Sequence, residues 1–127
     1  MTRGDTGRLG EALCARYLER HGYTIAACNF HARCGEVDVI AETESEICFV
    51  EVKTRRENAM VSPAQAVDLR KQQKLVLTAQ VYLQRHPSEK QPRFDVFEVL
   101  TDAKGKPTRQ RHLPHAFDAS CIDGLYY

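Results

Sequence analysis

Residues 35–55 read GEVDVIAETESEICFVEVKTR, two short runs of Val, Ile and Phe laced with acids. Runs this long, rich in β-branched residues and broken by a polar turn, read as strands at 35–42 and 46–54. With the turn centred between Glu44 and Ser45, antiparallel pairing sets Val39 opposite Val50 and Val37 opposite Val52. Alternation then gives Val37, Val39 and Ala41 one face of their strand, and Phe49, Glu51 and Lys53 one face of theirs. The same register sets Asp38 opposite Glu51, and Glu36 opposite Lys53. Carboxylates about 5 Å apart repel by roughly 3 kcal/mol at an effective dielectric of 20. A proton, a cationic neighbour or a metal must offset that. Mg²⁺ takes oxygen ligands and keeps several waters, so one or two carboxylates plus a substrate phosphate complete its shell. Lys53 would then be free to orient a water or to neutralise charge developing on a phosphate. The plain alternative is a solvated strand face with a weak Glu36–Lys53 pair, worth about 0–1 kcal/mol. Spacing leaves both readings open.

Upstream, GDTGRLGEALCARYLERHGY reads as a helix. Asp5 or Thr6 can cap it, Leu9, Leu13, Cys14, Tyr17 and Leu18 form its apolar stripe, and Gly22 suits a left-handed C-terminal cap. YTIAACNF (23–30) is a first strand. Downstream, Ser62-Pro63-Ala64-Gln65 has the form of a capping box, opening a helix that His86-Pro87 stops after about Arg85. RFDVFEVL (93–100) is a further strand closed by the turn DAKGKP, and the tail from about 108 carries a short strand to 113 before irregular structure. The order α-β-β-β-α-β predicts an α/β sandwich with a mixed sheet, in a single domain spanning 1–127.

The 127 residues suffice for one domain core, and a 43% hydrophobic share beside 28% charged residues argues against disorder. Eighteen basic and 17 acidic residues give a net charge of +1, so any nucleic-acid footprint must come from local clustering. No apolar stretch follows the N-terminus and none approaches the ~20 residues of a membrane span, so a cytoplasmic protein without membrane attachment is expected. Five cysteines scattered along the chain suit reduced thiols.

GEVDVIA followed by FVEVKTR resembles the signature of the YraN-like family of small bacterial proteins. GRLGEALCARYL, the helix with Lys71 and Lys74, and RFDVFEV extend the resemblance over most of the chain. That family is in turn similar to the restriction-endonuclease-like nuclease superfamily, which includes the archaeal Holliday-junction resolvases. The resemblance implies a restriction-endonuclease-like core, a mixed central sheet flanked by helices. It also implies roles: Glu11 as the helix acid, Asp38 as the strand aspartate, Glu51 as the second acid and Lys53 as the catalytic lysine. Glu11, Asp38, Glu51 and the main-chain carbonyl of Val52 would hold Mg²⁺ or Mn²⁺. Glu36 belongs to the GE-x-D pattern and receives no metal role. The implied activity is metal-dependent hydrolysis of phosphodiesters in DNA, branched or otherwise structured, with a homodimer to match the twofold symmetry of a junction. The rival readings are a non-catalytic nucleic-acid-binding or adaptor protein on the same fold, and a structural module whose acids serve ion pairs.

Arg55 and Arg56, and Lys71 and Lys74 beside Arg70, are candidate phosphate contacts, although a solvated helix face explains the second group equally well. Cys28, His31 and Cys34 are potential zinc ligands without an evident fourth, and read more simply as a thiol with incidental neighbours. Cys14 and Cys48 read as core residues. His112 and His115 have no identifiable partner acid, so packing roles are expected.

Overall fold

β1 (Thr24–Ala32), β2 (Gly35–Glu42), β3 (Glu46–Arg56), β4 (Gln91–Thr101) and β5 (Pro107–Phe117) lie side by side in that order in one sheet. The computed structural model describes residues 3–58 and 67–123. Neighbouring strands are antiparallel except β3 and β4, which run parallel. A parallel pair needs a crossover, and α2 (Leu69–Arg85) lies on it. The sheet is therefore mixed and flanked by two helices, as expected from the sequence.

The two helices take opposite faces. α1 (Arg3–Arg20) buries Cys14 and Leu18, one turn apart, against Val39, Ala41, Cys48, Val50, Phe97 and Val99. α2 buries Leu75, Val76, Ala79 and Tyr82 against Val37, Ile40, Ile47, Phe49 and Phe94. This explains why β4 is buried almost throughout: a central strand covered on both sides has no solvent face to alternate with. Phe49 falls on the α2 face and Cys48, Val50 and Val52 on the α1 face, as alternation predicts.

Gly22, at φ +88°, ends α1 where a left-handed cap was expected, with Tyr23 donating its N–H to the Leu18 carbonyl at 3.0 Å. Three sequence expectations need correction. α1 already runs through Asp5 and Thr6, so neither caps it. α2 begins at Leu69: Asp68, at φ −70° and ψ 170°, is its N-cap and accepts the Lys71 N–H at 2.9 Å. The expected capping box at Ser62–Gln65 lies outside the described residues. Finally, β5 is an eleven-residue strand running to Phe117, beyond the short strand expected. Its pairing with β4 shifts register between Phe94 and Val96, and His115 takes φ +52°. That irregularity hides the strand from a reading based on alternation.

A second irregularity shapes the site. Ala27 and Phe30 both pack on the α2 side, as do Val37 and Ile40 on the neighbouring strand. Residues three apart share a face only if alternation breaks between them. Asn29, at φ +54°, supplies the break, and the β1–β2 register leaves Asp38 opposite it. Val37 is thereby turned away from Val39 and Ala41, correcting the single apolar face expected for the three.

Candidate functional site

The β2–β3 ladder runs from Glu42↔Ile47 to Val39↔Val50, in the predicted register, and stops there. The expected continuations, Asp38 opposite Glu51, Val37 opposite Val52 and Glu36 opposite Lys53, are not part of it. The strands part because the Asp38 side chain takes over: its Oδ2 accepts the Val52 N–H at 2.7 Å. A carboxylate thus substitutes for main chain at the point where the ladder opens, and Asp38 is left only 8% exposed.

Three elements converge on that opening. Gly10 brings α1 close to β3, where an added Cβ would lie 3.0 Å from Thr54 Oγ1 and 3.2 Å from Val52 Cγ1. The next residue, Glu11, accepts a hydrogen bond from Asn29 Nδ2 at 2.7 Å. Glu51 lies on β3, its side chain 20% exposed, with Lys53 Nζ 3.5 Å from its Oε1. On the far side the β1–β2 hairpin approaches α2. Gly35, at φ +154°, would set a Cβ 3.1 Å from Thr78 Oγ1 and 3.4 Å from Lys74 Cβ, so only glycine suits this position. Between hairpin and helix lies a cleft of about 460 Å³, lined by His31, Glu36, Glu51, Lys71, Lys74 and Leu75 among others.

The electrostatics are those of an under-compensated acidic centre. Burial and the neighbouring Glu51 charge push the Asp38 carboxyl up to about 7, against the pull of the Val52 N–H, with Glu11 and Glu36 adding to the rise. Burial also raises Glu51, opposed by Lys53 and Lys71. Contact with the Lys53 ammonium, its charge and burial lower Lys71. Glu51 therefore meets two ammonium groups, those of Lys53 and Lys71, where β3 faces α2.

The predicted residues divide accordingly. Asp38, Glu51 and Lys53 come together, with Lys71 and Lys74 on the cleft wall. Glu11 is near enough to act on Asp38 through its charge, but its carboxylate is engaged by Asn29. Arg56 is exposed. Arg55 is turned inward, its Nε donating to Glu98 Oε2 at 2.9 Å, so it is an internal ion-pair partner before it is a phosphate contact. Among the described residues no three His, Cys, Asp or Glu side chains are grouped to hold a metal by themselves. This applies equally to Cys28, His31 and Cys34: His31 pairs with Glu36 across the hairpin, and Cys34 lies 3.4 Å from Thr78 Oγ1.

Two residues that sequence reasoning passed over belong here. Asn29 positions Glu11, and its signal was an Asn, tolerant of positive φ, inside a strand. Glu98 is buried at 1% exposure and neutralises Arg55 behind Lys53. An acid in the apolar run DVFEV carries the same signal as those in GEVDV.

A second polar cluster lies where β4 meets β5. Arg93 Nε and Nη2 donate to the two Asp95 oxygens at 2.9 and 2.8 Å, while Nη1 reaches Glu46 at 3.0 Å and Nη2 the Tyr23 hydroxyl at 2.7 Å. His112 Nε2 lies 2.7 Å from Asp95 Oδ2. Asp95 is thus the partner acid that the sequence did not reveal for His112.

The family model described as "Uncharacterised protein family UPF0102" matches residues 10–99, a span that contains every one of the predicted site residues. A UPF0102 protein of Caldanaerobacter subterraneus subsp. tengcongensis is 43% identical over 119 residues, covering 92% of this chain and 98% of the relative. One from Rhodopseudomonas palustris is 42% identical over 117 residues, covering 91% and 85%. One from Chlorobium chlorochromatii is 45% identical over 99 residues, covering 78% and 77%. With its α/β fold and most of its length matched, the chain belongs to the uncharacterised protein family UPF0102, to which the YraN-like signature pointed.

Proposed function

We propose that this protein is a metal-dependent nuclease that hydrolyses phosphodiester bonds in DNA. One observation carries the reading: two buried or half-buried carboxylates, Asp38 and Glu51, share the open end of a strand pair with too little internal compensation, beside a lysine and a cleft walled by two more. The donor set fits a hard divalent cation, since it is all oxygen and Mg²⁺ needs only one or two protein carboxylates when waters and phosphate fill its shell. Asp38 and Glu51 would hold the ion, with the Val52 carbonyl, between Glu51 and Lys53 in sequence, as a further ligand and Glu11 adding negative charge from α1. Bound there, Mg²⁺ or Mn²⁺ would offset the carboxylate repulsion and polarise a phosphoryl oxygen. Lys53, held at Glu51, would orient a water or stabilise charge on the phosphate, and Lys71 and Lys74 would bind the flanking backbone.

The test incubates the purified chain, with Mn²⁺ or Mg²⁺, with supercoiled, linear, single-stranded and four-way-junction DNA. Asp38→Asn and Lys53→Ala should each lower cleavage by about 100-fold or more, the usual scale for losing a transition-state group. Thermal melting supplies a second readout. Either ion should raise the Tm of the parent and leave Asp38→Asn unmoved. Ion-dependent stabilisation without cleavage of any substrate would favour a non-catalytic nucleic-acid-binding protein, and neither effect would leave a structural module.

A further inference from the structure

The cationic surface continues beyond the cleft. Strand register carries it: Lys53 is paired with Glu98 on β4, which is paired with Arg111 on β5, and Arg55, Leu100 and Arg109 form the next row. Residues paired in register share a face. Arg109 and Arg111 therefore stand on the same face of the sheet as Glu51 and Lys53. α2 covers that face mainly over β2, with β1 and β3, and both arginines are exposed. Past them the β4–β5 turn presents Lys104 and Lys106. This turn is ordered: Asp102 Oδ1 accepts the N–H groups of both lysines at 2.9 Å, and Gly105 takes φ +82°. Asp102 is the one acid among residues 102–111, against four bases. None of the four bases forms an ion pair among the described residues. In a chain of net charge +1, this is a local concentration of uncompensated charge.

Acids and bases are mixed at the opposite end of the sheet. Glu44 and Glu89 line a shallow depression there, and Glu42 and Glu46 flank the β2–β3 turn. Lys90 lies 3.9 Å from Glu42 and Arg93 3.0 Å from Glu46, so that end is internally compensated, whereas the four bases stand at the same end of the sheet as the candidate site. The site end is also where the parallel pair β3 and β4 presents its carboxyl termini, the usual ligand side of an open α/β sheet.

We propose that Lys104, Lys106, Arg109 and Arg111 form a docking surface for the phosphate backbone of duplex DNA, a second wall opposite Lys71 and Lys74. The spacing suits a duplex. β5 lies two strand spacings from Glu51 and Lys53 on β3, about 10 Å, comparable with the roughly 12 Å width of the major groove of B-form DNA. One backbone can lie in the cleft while the other reaches the hairpin. The surface lies beyond residues 10–99, so the family match assigns it no role. It rests on the reading of the neighbouring site, but it binds through charge alone and can be tested without cleavage.

The experiment measures binding of a fluorescent 20-base-pair DNA duplex, and of one of its strands alone, in EDTA across a salt series. The variants are Lys104→Ala/Lys106→Ala/Arg109→Ala/Arg111→Ala, the charge-conserving Arg109→Lys/Arg111→Lys, and Asp38→Asn. The quadruple variant should lose at least tenfold in affinity, and its log–log salt slope should fall by about 3.6, close to one per phosphate contact removed. The lysine-for-arginine variant should bind within about threefold of the parent, which a structural role for the arginines would not allow. Equal binding by the quadruple variant and the parent would overturn the proposal, as would loss on single-stranded DNA alone. Asp38→Asn separates the two readings: if it binds like the parent in EDTA while the parent cleaves no DNA with Mn²⁺ or Mg²⁺, the surface stands and the nuclease reading falls.

Discussion

Two buried aspartates, 57 residues apart in sequence, show how the same side chain is put to opposite uses. Asp95 is fully buried and saturated: Arg93 grips both its oxygens, His112 approaches one at 2.7 Å and the His115 N–H the other at 3.2 Å. Burial alone would push its carboxyl up. The hydrogen bonds and charges of His112 and Arg93 outweigh that and hold it below the ordinary carboxylate range. Asp38 is nearly as buried but accepts one hydrogen bond, from Val52, and has three acids for neighbours. Its carboxyl rises to about 7. A folded chain tolerates an under-compensated buried acid when something else supplies the cation. Asp95 therefore reads as structure and Asp38 as a candidate site, although each is flanked by apolar residues in a strand.

Removing each acid should have opposite consequences for stability. Asp95→Ala leaves the Arg93 guanidinium buried without its bidentate partner and is expected to cost about 3–5 kcal/mol, a large part of an ordinary domain's stability. Asp38→Asn keeps an acceptor for Val52 and removes a repelled charge, so at neutral pH without metal it should be neutral or stabilising. Urea unfolding of both variants checks this. A loss below about 1 kcal/mol for Asp95→Ala, or above it for Asp38→Asn, would break the comparison.

The pH dependence sharpens it. Asp38 binds its proton more tightly folded than unfolded, so between about pH 4 and pH 7 the folded state holds the extra proton. Stability then falls as pH rises through that window, with a limiting slope near 1.4 kcal/mol per unit for one proton. Asp95 has the reverse sign. Its depressed carboxyl contributes stability that is present above about pH 4 and is lost as pH falls through its folded value. The stability difference between Asp38→Asn and the parent should therefore grow from near zero at pH 4 to a few kcal/mol at pH 7. Saturating Mg²⁺ should diminish it. A flat difference would mean that Asp38 is compensated after all.

The sequence made the fold legible where local signals and packing agreed. The Val39–Val50 register followed from the polar turn at Thr43–Glu46, and the Gly22 cap from an apolar stripe ending in basic residues. Ser62-Pro63-Ala64-Gln65 has the form of a helix start but lies outside the described residues, while Asp68 is the N-cap of α2, a signal that the capping-box form overshadows. Within the site, Asp38, Glu51 and Lys53 were visible because charge in an apolar strand conflicts with simple burial. Asn29 and the Arg93–Asp95–His112 network were not. Both depend on contacts between strands that only the assembled sheet brings together, through a left-handed residue in one case and a register shift in the other.

The smallest expected effect concerns that left-handed residue. Asn29 does two jobs: its backbone breaks the alternation opposite Asp38, and its amide engages Glu11 at 2.7 Å. Glycine adopts φ +54° without strain, so Asn29→Gly keeps the first and removes the second. Stability should change by no more than about 1 kcal/mol, the net worth of one partly exposed hydrogen bond. If the amide holds Glu11 ready to share in ion binding, its loss restores side-chain freedom of about 1–2 kcal/mol, and Mn²⁺ affinity measured by calorimetry should fall by about five- to tenfold. Glu11→Gln, which removes the charge itself, should lower the affinity at least as far. A rise in affinity on Asn29→Gly would reverse the assignment. Asn29 would then be holding Glu11 away from the centre, and Asp38 and Glu51 would be the sole carboxylates facing the ion.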